Sequence, residues 1–147
     1  MTAVLTRPAP AATRQGALLA VLLTAVFMAL LDTTIVNVAM PTIGTDLSAS
    51  GAALQLVVAG YLISYAVLLI TGARLGDRIG HGRAFRIGLI GFTAFSLLCG
   101  LAPEVTSLIV FRFAQNVGAS LMLPQVMSLI QRTFAGERRT HALSVYN

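Results

Sequence analysis

Two charged side chains stand where charge is costly. Asp32 lies in the first long apolar segment and Arg112 in the fourth. A charge at mid-membrane costs about 2.5–3.5 kcal/mol even on insertion scales, so something must offset it. Asp32 is eight residues before Met40, at the outer end of its segment. Arg112 is eight residues after Glu104, at the outer end of its own. At 1.5 Å per helical residue, both sit roughly 12 Å below the outer surface. Equal depth allows a direct or water-mediated pair if the first and fourth helices are neighbours. The chemistry on offer is proton exchange, at a carboxylate whose proton affinity depends on whether Arg112 is near. A buried ion pair that only fixes helix packing is the alternative.

More polar residues accompany them. Arg112, Gln115, Asn116, Ala119 and Ser120 follow the i, i+3, i+4, i+7, i+8 spacing of one helical face. That face should turn toward other helices or a watery cavity; interhelical hydrogen bonding is the competing use. Pro124 frees the carbonyl of Ser120 and predicts a kink. Tyr61, Ser64 and Tyr65 share a face of the second segment; the two tyrosines, with Gln115 and Asn116, are candidates to line a substrate cavity, and helix packing is an equal reading for the tyrosines. Thr33, Thr34 and Asn37 surround Asp32 without forming a clean stripe. No nucleophile–base pair is evident, and the reading is not that of an enzyme. His81 and His141 stand apart, with no metal-ligand spacing. Cys99 is the one cysteine and cannot form an intrachain disulfide.

The elements that carry these residues are apolar spans. Of 147 residues, 56% are hydrophobic and 10% charged, against roughly 25% charged in soluble domains. Mean hydropathy is +0.84. The spacing predicts an all-α membrane protein with spans at about 17–40, 53–72, 84–101 and 105–130, and the start of a fifth at 142–147. Pro41 is expected to close the first. That span is too long for a signal peptide and lacks a cleavage site. Residues 1–15, rich in Pro and Ala, read as a disordered tail.

Charge then fixes sidedness. Residues 71–86 read as a short loop with Arg74, Arg78, Arg83, Arg86 and Asp77, punctuated by Gly72, Gly76, Gly80 and Gly82. Glycines permit a tight turn and close approach of helix ends. Arg7, Arg14, Arg132, Arg138 and Arg139 fall on the same side, and the two outer loops carry no arginine or lysine. This bias predicts a cytoplasmic N-terminus. It also argues against nucleic acid as a partner, despite a net charge of +5, because the arginines are divided among loops between spans.

Three motifs resemble the major facilitator superfamily, in its fourteen-helix drug:proton antiporter branch. LDTTIVNVAMP, residues 31–41, resembles the first-helix motif of that branch. ARLGDRIGHGR, residues 73–83, resembles the superfamily's loop between helices two and three: Leu75, Asp77, Arg78 and Gly80 match, Ala73 replaces a usual glycine and Gly82 a basic residue. RFAQNVGAS, residues 112–120, resembles the fourth-helix motif of proton-coupled members: Arg112, Gln115 and Gly118 match, and Asn116 replaces a usual glycine.

The resemblance implies proton-driven export of amphiphilic small molecules from the bacterial cytoplasmic membrane. It implies proton coupling at Arg112 and Asp32. It implies a gating loop of Leu75, Gly76, Asp77, Arg78, Gly80 and Arg83, closing partly against a C-terminal half. It implies no cofactor beyond a proton gradient. Such transporters have two six-helix bundles with substrate between them. This chain is therefore expected to be a partial N-terminal bundle, inactive alone and completed by missing C-terminal helices or a companion chain. A small self-assembling membrane scaffold or partner subunit, held by Ala114 and Gly118, is the alternative.

Overall fold

A computed structural model describes residues 10–134 and 136–146. Five helices run in order: α1 (Pro10–Asp46), α2 (Gly51–Ile79), α3 (His81–Gly100), α4 (Val105–Thr133) and α5 (Gly136–Tyr146). No strand occurs among the described residues. The first four helices are long and apolar enough to cross a membrane. Their apolar outer faces, such as Phe27, Ile35, Val38, Ile63, Val67 and Ile90, are exposed, as lipid contact requires.

The helices outrun the apolar spans at several ends. α1 does not stop at Pro41 but continues to Asp46. Proline removes one backbone donor and leaves the carbonyl of Asn37 without its helical partner; one turn further on, Thr45 Oγ1 donates to the carbonyls of Pro41 (3.3 Å) and Thr42 (2.9 Å). At its other end α1 begins at Pro10, so residues 10–15 are helical rather than disordered. The remainder of the expected tail, residues 1–9, lies outside the described residues. α4 continues to Thr133 through Pro124, and α5 starts at Gly136, where a charged loop and a later span start were expected.

The largest correction concerns residues 71–86. They are not a loop. α2 runs to Ile79, α3 starts at His81, and Gly80 alone makes the turn, at φ +93°. A residue with a Cβ is strained there. The intervening Arg, Leu and Asp are compatible with helix and simply extend α2 beyond its apolar stretch.

α4 is the central helix. It buries Leu108, Arg112, Gln115, Asn116, Gly118, Ala119, Ser120, Met122, Gln125, Val126 and Ile130. Its contact with α3 is close because glycines face each other. A Cβ on Gly118 would lie 2.5 Å from the backbone nitrogen of Phe92, and one on Gly88 would lie 2.7 Å from that of Met122. Its contact with α2 uses a second notch. A Cβ on Gly72 would lie 2.1 Å from the carbonyl oxygen of Ser120, the carbonyl that Pro124 leaves without its helical donor. Phe85, Phe92, Met122, Val126 and Ile130 form the packed centre with Leu22, Ala25 and Ala29 of α1. Gln15 Nε2 donates to the carbonyl of Thr133 at 3.3 Å, so the start of α1 meets the end of α4. Asp32 and Arg112 thereby come to the same level.

Candidate functional site

Asp32 and Arg112 are in contact. Arg112 Nη1 donates to Asp32 Oδ2 at 2.7 Å, with side chains 3% and 12% exposed for Arg112 and Asp32. Gln115 closes the group into a ring. Its Nε2 donates to Asp32 Oδ1 at 2.8 Å, and its Oε1 accepts from Arg112 Nη1 at 3.2 Å. The i, i+3 step on α4 places Arg112 and Gln115 side by side, so both reach one carboxylate. The thiol of Cys99, from α3, donates to Gln115 Oε1 at 3.6 Å. The ring of Tyr61, from α2, lies over the guanidinium with Arg112 Cζ 4.6 Å from its centroid. All four long helices therefore meet around one ion pair. Thr33, Thr34 and Asn37 take no part in it; their side chains donate to carbonyls of their own helix.

Asn116 sits one turn further along α4. Its amide donates to the carbonyl of Tyr61 and, at 2.7 Å, to Ser64 Oγ. Its Oδ1 and the Nε of Arg112 are buried polar atoms without a partner among the described residues.

Cavities adjoin the pair and the Tyr61 ring beside it. One, of about 380 Å³, is lined by Asp32, Arg112, Phe92, Ser96, Cys99 and Leu108 among others. The second, of about 510 Å³, lies between α1, α2 and α4 and is lined by Thr33, Tyr61, Tyr65, Leu123, Pro124 and Met127 with further apolar residues. Tyr61 and Tyr65 line the second of these cavities. Gln115 and Asn116 line neither. Both are fully buried, because their amides are consumed by Asp32, Arg112 and α2.

The arginine-rich end is organised by residues that the sequence reading passed over. Gln125 is fully buried. Its Nε2 donates to the carbonyl of Gly72 at 2.9 Å, and its Oε1 lies 2.6 Å from His81 Nδ1. Since Oε1 can only accept, Nδ1 carries the hydrogen. His81 Nε2 faces Asp77 Oδ1 at 3.5 Å, and Asp77 is 69% exposed. Gly76 leaves room for the amide: a Cβ there would lie 2.0 Å from Gln125 Oε1. Leu75, Arg78, Gly80 and Arg83 are exposed. A glutamine inside an apolar run was the only sequence signal for Gln125. Among the described residues no group of His, Cys, Asp and Glu could hold a metal ion.

Residues 22–147 match the sequence pattern of the Major Facilitator Superfamily. The chain belongs to that superfamily. It is 40% identical over 137 residues to a probable actinorhodin transporter of Streptomyces coelicolor, covering 93% of this chain and 24% of that protein. It is 41% identical over 122 residues to a tetracenomycin C resistance and export protein of Streptomyces glaucescens, covering 83% and 23%. It is 38% identical over 122 residues to the puromycin resistance protein of Streptomyces alboniger, covering 82% and 24%. The chain thus spans about a quarter of the length of the curated relatives it matches. Four membrane-length helices in a chain of this family make it an integral membrane protein, and the family is one of transporters rather than enzymes.

Proposed function

We propose that this chain forms part of a proton-coupled exporter of amphiphilic small molecules. The observation that carries the reading is the Asp32–Arg112–Gln115 ring, buried where all four spanning helices meet. A permanently charged guanidinium holds a titratable carboxylate, and a shift of α1 against α4 exchanges that partner for a proton. An unpaired carboxylate in an apolar interior is neutralised this way. Each cycle therefore links a helix movement to uptake and release of one proton at Asp32. Similarity to proteins named for export of, or resistance to, actinorhodin, tetracenomycin C and puromycin supports export as the direction.

The cavity beside Tyr61 and Tyr65 is assigned to the substrate. Its walls are mostly apolar, with two phenols and Thr33 as polar handles, which suits an aromatic, amphiphilic molecule. The Asp77 end of α2 is assigned to gating against helices beyond this chain. The arginine bias supports placing the N-terminus in the cytoplasm and the protein in a bacterial cytoplasmic membrane.

The test uses the complete transporter in inverted membrane vesicles. Asp32→Asn should insert normally and lose drug-dependent proton movement. Unchanged proton movement would remove Asp32 from the mechanism.

A further inference from the structure

We infer that Asn116 is a positioning residue for the Asp32–Arg112 pair, acting through Tyr61. The inference concerns the geometry of the pair, and rests on the coupling reading only for its consequence in transport.

Asn116 is fully buried on the face of α4 that meets α2. Its environment fixes which way its amide points. The Ser64 hydroxyl donates within its own helix, with the carbonyls of Gly60 at 2.6 Å and Tyr61 at 3.1 Å as acceptors, and so presents lone pairs to α4. The carbonyl of Tyr61 is the other neighbour. Two acceptors face Asn116, so the nitrogen must face them and Oδ1 must point away. Oδ1 then points away from both acceptors, into the packed interior. Both N–H groups are used to seat one turn of α2 on α4.

That turn carries Tyr61. The tie is made at its own backbone, and its ring is what covers the Arg112 guanidinium at 4.6 Å. Arg112 is thereby held from two directions. Asp32 and Gln115 bind its Nη1, while Tyr61 limits swing of the plane. Gly60 reinforces the seat, since a Cβ there would lie 3.0 Å from the Phe113 ring. Releasing Asn116 lets Tyr61 leave the guanidinium and lets Arg112 and Gln115 separate from Asp32 more often.

The chain contains its own reporter. Cys99 is the only cysteine, lines the cavity with Asp32 and Arg112 and donates to Gln115 Oε1. Its rate of modification by N-ethylmaleimide, measured on the 147-residue chain in liposomes, follows opening of the ring. Asn116→Ala and Tyr61→Leu should each raise that rate about threefold to tenfold. The double variant should rise no further than the larger single effect. Tyr61→Phe, which restores the ring, should return the rate to that of the parent chain. Gln125→Ala cuts a different α2–α4 tie, at Gly72, and should leave the rate unchanged.

An unchanged rate in Asn116→Ala overturns the inference. So does additivity in the double variant, or an equal rise in Gln125→Ala, which would make Asn116 general adhesive between α2 and α4. The Tyr61 pair keeps Asn116 intact, so it reads the ring's contribution even if Asn116→Ala misfolds; equal rates in Tyr61→Leu and Tyr61→Phe also overturn the inference. None of these readings needs export, so failure here is distinct from failure of the coupling proposal.

Discussion

Removing one charge from the Asp32–Arg112 pair should not cost the same as removing the other. Asp32→Asn keeps the shape and leaves Arg112, at 3% exposure, with a charge it cannot shed. Breaking a buried pair by deleting one partner typically costs about 3–5 kcal/mol. Gln115 Oε1 at 3.2 Å and the Tyr61 ring at 4.6 Å remain, so the lower end, about 3 kcal/mol, is expected. Arg112→Met leaves Asp32 instead. The carboxylate keeps Gln115 Nε2 at 2.8 Å, lines a cavity and discharges itself by taking a proton. Its cost should be about 1–2 kcal/mol, that of one lost charge-assisted bond partly compensated. The double variant carries no stranded charge. It should recover about 2 kcal/mol relative to the sum of the singles. Unfolding of the 147-residue chain in mixed micelles, followed by pulse proteolysis at fixed pH, gives all four stabilities. Additive losses, or Arg112→Met costing more than Asp32→Asn, would refute the reasoning.

Four further outcomes are expected. Gly118→Val should destabilise by about 1–3 kcal/mol in the same assay, because the obstacle is the backbone of Phe92 and cannot rotate away. Gly76→Ala should also destabilise, and Gln125→Ala should relieve it by clearing the amide; Gly72→Ala should not be relieved, since its obstacle is the carbonyl of Ser120, and thermal denaturation of the single and double variants separates the cases. In the complete transporter, Arg112→Ala should lower export in vesicles about tenfold or more and Gln115→Ala less, because Gln115 is a neutral member of the ring and Arg112 supplies its charge. With Cys99→Ser as background, Ser48→Cys should react with a membrane-impermeant maleimide from outside intact cells; reaction only after lysis would reverse the proposed orientation.

The legible part of this protein was local in origin. Hydropathy alone marked four membrane-length helices, since the need for an apolar run of sufficient length is a property of each segment by itself. Helical periodicity identified the face of α4 from Arg112 to Ser120, and those residues are buried. Counting residues from the ends of two segments brought Asp32 and Arg112 to one depth. Their contact spans 80 residues of sequence, and hydropathy carried no statement that α1 and α4 are neighbours.

What the tertiary structure decided is which partner each polar group meets. The glycines of residues 72–82 looked equivalent as loop punctuation. In the fold Gly80 turns the chain, Gly72 and Gly76 admit α4, and a Cβ on Gly82 would meet nothing within 4 Å. Asn116 read as a cavity residue, and its amide nitrogen donates to the Tyr61 carbonyl and Ser64 Oγ of α2. Gln125 read as nothing and joins three helices. Composition and period fix how much of a helix is apolar and which way it faces, because both act within one or two turns. The role of a buried amide depends on acceptors from another helix, and only packing brings those into range.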